Sequence, residues 1–143
     1  MNKYQMDYLL RSEMVGHLGC SADGKTYVVP VTYVYDGTNI LVRTKEGQKV
    51  KMMRKNPSVC LEVDRIDNLA NWQSVIVQGM YEELKGREAE EALLAIVNRL
   101  HPFTSSSTAV QLHSMDKSRS IPVDQLIVFR INISECTGVF EKI

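Results

Sequence analysis

The stretch that decides the fold is a run of ten residues between two turn sequences, Thr26-Tyr27-Val28-Val29-Pro30-Val31-Thr32-Tyr33-Val34-Tyr35. β-branched and aromatic side chains fill most of it, and such runs favour β-strands. The turn before it, Ser21-Ala22-Asp23-Gly24, and the turn after it, Asp36-Gly37, carry the glycine that tight hairpins use. We therefore predict a three-stranded antiparallel meander in which this run lies between Met14–Cys20 and Ile40–Thr44.

The spacing of apolar residues in the rest of the sequence predicts further strands and several helices. Apolar residues in Arg87–Leu100 recur at helical spacing, which predicts an amphipathic helix. Shorter helices are predicted over Gln5–Ser12 and Glu46–Lys55, and further strands over Ser58–Arg65, Gln73–Leu84 and Leu126–Ile133, with a polar loop at Ile66–Asn71. Sequential hairpins with few helices between them favour a small, mainly β antiparallel barrel of about six strands, with two or three flanking helices, over a doubly wound parallel sheet.

The composition indicates one neutral globular domain spanning residues 1–143. Of the 143 residues, 44% are hydrophobic, and 17 acidic side chains balance 17 basic ones. A net charge of zero provides no overall field to attract nucleic acid or an anionic membrane. No apolar run approaches the ~18 residues of a membrane-spanning helix. Asp7, Arg11 and Glu13 interrupt the apolar residues near the start, so we expect no secretory signal and a cytoplasmic protein.

The cysteines and histidines show neither a disulfide framework nor a metal-ligand spacing. Cys20, Cys60 and Cys136 are an odd number without a Cys-x-x-Cys motif, so we expect free, partly buried thiols. The three histidines, His17, His101 and His113, lie far apart in the sequence, and we predict no metal site.

A literal match to a phosphate-binding loop occurs at Gly19–Thr26, where the pattern G-x-x-x-x-G-K-[ST] is complete. The mechanism of that loop requires a helix to begin at the Lys-Thr pair, so that its N–H groups cradle phosphate. The β-forming run that follows, with Pro30 in it, is unsuited to a helix. We therefore predict a hairpin turn here and no nucleotide hydrolysis.

Basic residues crowd the segment around the second predicted helix: Lys45, Lys49, Lys51, Arg54 and Lys55. A solvated helix face is the ordinary explanation of such a cluster. Lys49, however, falls in the predicted first turn, where a cation is unfavourable beside the free N–H groups unless an anion binds there. With Gly47 permitting close approach, the Thr44 hydroxyl, backbone N–H groups and the Lys49 ammonium form a candidate phosphate site. On these residues alone, both explanations remain open.

Pro30 is a second anomaly, because a proline cannot donate to a strand ladder. The ordinary explanation is that Pro30 lies on an edge strand, where a proline prevents unwanted pairing with another strand. The alternative is that a ligand uses the gap in the ladder.

Several segments, taken in order and spacing, resemble the pyridoxamine 5′-phosphate oxidase-like flavoproteins, and most closely their nitroimidazole-resistance branch: Tyr27–Gly37, Thr44–Lys49, Asn56–Val63, Trp72–Gly79, Phe129–Ile133 and Thr137-Gly138. The resemblance covers nearly the whole chain except the loop from His101 to Ser120. It implies a six-stranded split β-barrel that forms a homodimer, with two FMN molecules bound in clefts between the subunits.

The resemblance also implies a set of cofactor-binding residues. The strand around Pro30, Val31 and Thr32 is expected to lie along the flavin ring, and Trp72 and Ser74 to contact the ring or the ribityl chain. The residues expected around the phosphate are Arg43, Thr44, Lys45, Gly47, Gln48 and Lys49. Both local anomalies would then have one cause, a bound cofactor. The Ser/Thr-rich run Thr104–Thr108 is expected to form a loop placed to cover a ligand.

Two departures from the family qualify the function that it implies. Arg43 stands where many relatives carry a histidine beside the flavin, and Glu135–Ile143 lacks the basic and aromatic tail that grips pyridoxal phosphate, so we do not expect vitamin B6 oxidation. The expected function is a flavin-dependent oxidoreductase that passes electrons from a reduced nicotinamide or similar donor to a small organic acceptor, nitro-aromatic compounds among them. No catalytic residue is assigned. The alternative is a flavin- or haem-binding protein for storage or sensing.

Overall fold

The computed structural model describes residues 1–104 and 125–143. Its elements in chain order are α1 (Lys3–Ser12), β1 (Val15–Ala22), β2 (Lys25–Thr32), β3 (Val34–Tyr35), β4 (Ile40–Lys45), α2 (Gln48–Lys55), β5 (Ser58–Asn68), β6 (Asn71–Glu83), α3 (Gly86–Leu100) and β7 (Leu126–Glu141). A short 3-10 turn, His101–Thr104, follows α3. The rest of the predicted loop Thr104–Thr108 lies outside the described residues.

The strand run is interrupted once, at Tyr33, and this break allows the sheet to close into a barrel. The strand order is β2-β1-β5-β6-β7-β4-β3, with every neighbouring pair antiparallel. The two end strands, β2 and β3, are consecutive in sequence and separated only by Tyr33, so one run of chain supplies both ends of the sheet. Tyr33 is fully buried, its N–H donates to Met14 O at 2.9 Å, and its hydroxyl donates to Leu10 O at 2.7 Å. The mainly β, antiparallel fold class is confirmed.

The break at Tyr33 corrects two details of the sequence prediction. The run Thr26–Tyr35 forms two strands, which gives seven strands in the described residues where six were predicted. The two hairpins of the predicted meander are confirmed, since β1 pairs with β2 and β3 pairs with β4, but its middle strand is broken at Tyr33, and Ile40–Lys45 pairs along its length with β7. A buried aromatic anchor with two backbone-directed hydrogen bonds outweighs the strand propensity of Tyr33.

The hairpin turn predicted between β1 and β2 is confirmed. Asp23 and Gly24 both adopt positive φ, 53° and 79°, which is the geometry of a two-residue turn that matches strand twist. Strand β2 begins directly afterwards at Lys25, where a phosphate loop requires a helix.

Two strands are longer than predicted. The expected loop Ile66–Asn71 is reduced to Leu69 and Ala70, because β5 continues to Asn68 and β6 begins at Asn71. Strand β7 continues past Ile133 to Glu141 and pairs with β6 along that extension. Neither extension shows a clear alternation of apolar and polar residues. Each extension is held in the strand conformation by its pairing with a neighbouring strand alone.

The core fills the barrel, and a smaller apolar cluster lies under α3. Buried side chains inside the barrel include Leu18, Leu61, Phe129 and the helix residues Met52 and Met53. The stripe of α3 contributes Ala92 and Ile96 to the second cluster, which includes Val34, Leu41, Leu84 and Val128. The three cysteines are free, as predicted. No helix within the described ranges is long and apolar enough to cross a membrane.

Strands β6 and β7 approach each other closely at Gly79, beside a register shift, and a substitution there tests this close packing. A Cβ at Gly79 would overlap the backbone carbonyl oxygen of Asn132, whereas a Cβ at Gly47 would meet nothing nearer than 3.9 Å. We expect Gly79→Ala to lower the free energy of unfolding by about 1–3 kcal/mol, and Gly47→Ala by less than about 1 kcal/mol. Urea denaturation measures both, and equal losses would contradict the close approach of the two strands.

Candidate functional site

The first turn of α2 leaves backbone N–H groups without a helical acceptor. Gly47 is the N-cap and offers no side chain to the turn. The first helical hydrogen bond runs from the Lys51 N–H to Gly47 O at 3.1 Å, so the N–H groups before Lys51 point out of the helix end. The Glu46 N–H, just outside the helix, donates to Gln125 O at 2.8 Å. The helix end thus presents partial positive charge at an uncapped turn.

Uncompensated cations lie at this same end of the helix. Among the described residues, Arg43, Lys45, Lys49 and Lys51 form no ion pair, whereas Arg54, farther along α2, does. Burial lowers the pKa of Lys49, the Lys45 charge lowers it further, and the Cys20 thiol acts in the opposite direction. A half-buried ammonium without a carboxylate partner, close to a second lysine, favours binding of an anion.

The predicted phosphate residues of β4 lie on two faces of the strand. Side chains alternate along a strand, so Arg43 and Lys45 share the face of Leu41, which packs beneath α3. Thr44 lies on the same face of β4 as Val42 and is paired with Ile127 of β7. Val42 and Ile127 both belong to the barrel core. The Thr44 hydroxyl makes only a long hydrogen bond, 3.4 Å to Lys45 O. Thr44 therefore lies on the opposite face of β4 from Arg43 and Lys45, and of these three residues Lys45 is the one whose charge acts on Lys49.

Strand β2 presents the predicted ring-binding residues at the end of the sheet. It is the first strand of the order, which fits the edge position expected for Pro30. Pro30 and Thr32 are exposed on the outer face of the barrel, while Val31 is buried and faces the core. Pro30 pairs with His17 of β1.

Trp72 and Ser74 lie on β6, away from the other predicted residues. Two strands, β1 and β5, separate β6 from β2, which corresponds to about 14 Å across the sheet. The Ser74 hydroxyl donates to the Glu62 carboxylate at 2.7 Å. Trp72 is partly exposed and lines a shallow cavity of about 290 Å³ beside Arg65 and Phe140. One chain therefore contains two separate parts of the predicted site, one around β2, β4 and α2 and the other on β6.

Sequence reasoning missed a polar network on the outer face between these two parts. His17 Nδ1 lies 3.2 Å from Glu62 Oε1, and ligand atoms of His17, Glu62 and Asp64 all lie within 4.8 Å of one another. Burial raises the pKa of Asp64, and its hydrogen bond with Glu62 raises it further. The available signal was the spacing of Glu62 and Asp64, which places both carboxyl groups on one face of β5.

An ion network holds α2 in position against β6. The Arg54 guanidinium bonds both carboxylate oxygens of Glu83, at 2.9 and 3.1 Å, and contacts the Glu46 carboxylate at 2.9 Å. Hydrogen bonding to Arg54, and then to Lys85 and Tyr81, holds the pKa of Glu83 at about 2 despite the opposing effect of burial. This bidentate pairing fixes the orientation of the helix whose first turn carries Lys49.

Comparison with known proteins assigns the family. The model of the family described as pyridoxamine 5′-phosphate oxidase matches residues 2–138. The chain belongs to the pyridoxamine 5′-phosphate oxidase family. An uncharacterised protein of Rhizobium meliloti is 32% identical over 84 residues, which are 59% of this chain and 56% of that relative, so the match spans about half the relative's length. The family resemblance seen in the sequence is confirmed.

Several solved structures share the fold of this chain. A FAD-binding protein from Mesorhizobium loti matches with a TM-score of 0.77 and 27% identity, over 96% of this chain and 92% of that one. A protein described as a candidate 5-nitroimidazole antibiotic resistance protein from Bacteroides thetaiotaomicron has a TM-score of 0.71 at 20% identity, over 96% and 82% of the two chains. A haem-binding protein from Mycobacterium smegmatis has a TM-score of 0.70 at 18% identity, over 93% and 51%.

Lys49 is expected to contribute to affinity only for a phosphorylated flavin. We expect Lys49→Gln to weaken FMN binding about 10- to 100-fold, since a charge-assisted hydrogen bond contributes roughly 1.5–3 kcal/mol. Affinity for riboflavin, which lacks the phosphate, should change less than about twofold. Lys3→Gln, the same charge change at an exposed position on α1, is the control. Fluorescence titration measures all affinities, and equal losses for FMN and riboflavin would contradict the phosphate assignment.

Glu83 is expected to make stability depend on acid pH. Because folding lowers its pKa, Glu83 contributes stability above the ordinary carboxyl range, and this is lost as pH falls from about 4.5 toward 2. Glu83→Gln should lose about 1–2 kcal/mol at pH 7 and much less at pH 2.5. Glu90→Gln, an exposed change on α3, is the control. Urea unfolding at the two pH values measures the difference, and a pH-independent loss would contradict the pairing.

Proposed function

We propose that this member of the family binds FMN and acts as a flavin-dependent oxidoreductase on a small organic acceptor, nitro-aromatic compounds being the first class to test. The observation that carries the proposal is the set of unpaired basic groups at an uncapped helix start, with Lys49 half-buried among them. A terminal phosphate fits this charge and these N–H donors. The Mesorhizobium loti relative, described as FAD-binding, supports a flavin as the ligand class.

Bound FMN would supply the hydride and electron chemistry, so the chain itself needs no nucleophile or acid–base pair. Lys49, Lys45 and the first turn of α2 would hold the phosphate. Pro30 and Thr32 would border the ring on the outer face of β2. The cysteines remain free thiols, which agrees with a reducing, cytoplasmic setting for this chemistry.

A second copy of the chain is proposed as the partner that completes the site. The outer face of the sheet exposes two pairs of aliphatic side chains, on either side of the polar residues Glu62 and Asp64 of β5: Val15 and Val28 on β1 and β2, and Ile76 and Val139 on β6 and β7. Apolar side chains grouped on one open face mark an association surface. Association through this face would bring β6 of one copy, with Trp72 and Ser74, toward β2 of the other. The separation of the two parts within one chain supports this arrangement.

An absorption spectrum of the purified protein tests the cofactor. After incubation with FMN and removal of free ligand, we expect a flavin spectrum at about one FMN per chain, with the released ligand identified by mass. An intense haem band after a parallel incubation, without retained flavin, would favour the storage or sensing alternative, which the haem-binding relative from Mycobacterium smegmatis supports. A colourless protein in both incubations would contradict a cofactor function.

A substitution on the outer face tests the dimer. We expect Ile76→Lys to shift the protein toward monomer in sedimentation velocity, because it places a charge within the apolar face. Leu94→Lys is the control, since Leu94 is an exposed aliphatic residue on α3, away from this face. Dissociation by both variants, or by neither, would contradict association through this face.

A further inference from the structure

The polar network on the outer face of the sheet has the ligand types of a metal site. His17 of β1 is paired directly with Glu62 of β5, and Asp64 follows two residues along β5. Because side chains alternate along a strand, all three project from the same face. One ligand atom of each side chain lies within 4.8 Å of the other two. The prediction of no metal site considered the histidines with one another, whereas these three residues meet only through strand register.

The distances within this cluster suit a small divalent ion. His17 Nδ1 lies 3.2 Å from Glu62 Oε1, and the carboxyl groups of Glu62 and Asp64 share a hydrogen bond. Around a zinc ion with bonds of roughly 2.0–2.2 Å, neighbouring ligand atoms lie about 3.4 Å apart. The contact between His17 and Glu62 already has this spacing. Asp64 reaches it by rotation of its side chain, which closes the triangle of ligands around one ion.

Glu62 has one carboxylate oxygen fixed and the other directed at the imidazole. The Ser74 hydroxyl donates to Glu62 Oε2 at 2.7 Å, whereas Oε1 faces His17. Ser74 is the residue of β6 that is paired with Asp64, so it lies beside the cluster. A hydrogen bond of this kind orients a carboxylate that binds a metal. Ser74 is therefore a positioning residue for Glu62.

The two carboxyl groups of the cluster have no lysine or arginine partner. Among the ion pairs within residues 1–104 and 125–143, Glu62 pairs only with His17, and Asp64 takes part in none. The neighbouring Arg65 is bonded to Glu13 at 2.6 Å. Two carboxyl groups held together in this way must either share a proton or leave negative charge uncompensated. A divalent ion would balance both carboxylates at once.

We propose that His17, Glu62 and Asp64 bind a divalent transition-metal ion of the kind that accepts imidazole, with Zn²⁺ as the representative. One imidazole with two carboxylates suits Zn²⁺ better than Mg²⁺ or Ca²⁺, which prefer oxygen ligands alone. Three protein ligands leave a fourth, tetrahedral position to water. On binding, the proton shared by Glu62 and Asp64 passes to solvent. The site requires neither a bound flavin nor a second copy of the chain.

The place of the site on the outer face gives the ion a role. Glu62 and Asp64 lie between the two aliphatic pairs of the face proposed for association. Burying two carboxylates within such a face costs free energy unless their charge is balanced. A bound divalent ion balances this charge, so it favours association through this face wherever that association occurs.

Isothermal titration calorimetry with Zn²⁺ tests the site on the full chain, after treatment with a chelator. We expect the wild type to bind about one Zn²⁺ at this site and to give no comparable heat with Mg²⁺ at equal concentration. His17→Gln and Asp64→Asn should each weaken Zn²⁺ binding about 100-fold or more, because each removes a ligand. Ser74→Ala keeps the three ligands and should weaken binding about 10-fold or more, because Glu62 is then no longer oriented.

Two control variants separate this site from other Zn²⁺ ligands. His101→Gln removes a histidine at the end of α3, and Cys60→Ser removes the thiol two residues before Glu62 on β5. Both should bind Zn²⁺ as the wild type does, and circular dichroism checks that every variant folds. Equal affinities of the wild type and His17→Gln, a loss in Cys60→Ser as large as in His17→Gln, or equal binding of Mg²⁺ would overturn the site. The measurement uses Zn²⁺ alone, so its failure is distinguishable from a failure to retain FMN.

Discussion

The anchoring of Tyr33 is the constraint on which the rest of the structure depends. Its buried ring, with the hydroxyl bonded to Leu10 O and the N–H to Met14 O, ends β2 and lets the next two residues join the opposite end of the sheet. Without this interruption β2 would continue past the barrel. Through it, β2 at one end of the sheet leads directly into β3 at the other end, which pairs with β4.

Local chemistry made much of the fold predictable. The Asp23-Gly24 turn, the stripe of α3 and the end of α2 before Pro57 each follow from residues within a few positions of one another. The break at Tyr33 does not, because a tyrosine in a strand-forming run has no local reason to leave the strand. Its partners, Leu10 and Met14, lie about twenty residues earlier in the sequence, and only the tertiary structure brings them near. The length of β7 likewise depends on its pairing with β6.

The candidate site likewise contains residues that could be predicted from the sequence and residues that could not. Lys49 could be singled out from sequence because a cation in the first turn of a helix conflicts with the helix dipole, and within residues 1–104 and 125–143 no carboxylate pairs with it to remove that conflict. His17 could not be singled out, since its partner Glu62 is 45 residues away and the contact depends on strand register. The family resemblance indicated Ser74 but not Glu62, which joins Ser74 to the imidazole. Residues that are neighbours on one turn of a helix could be predicted from the sequence, whereas residues that are neighbours on adjacent strands could not.

The position of β7 also determines how the molecule can be made. This strand is the last in sequence, yet it lies between β6 and β4 in the sheet. Until residues 126–141 have been synthesised, β2-β1-β5-β6 and β4-β3 remain separate pieces with unpaired edges, joined at Tyr33. Unpaired strand edges promote intermolecular pairing, and contacts between distant residues form slowly. The nascent chain therefore passes through a stage that favours aggregation, and this stage ends when β7 pairs with β6 and β4.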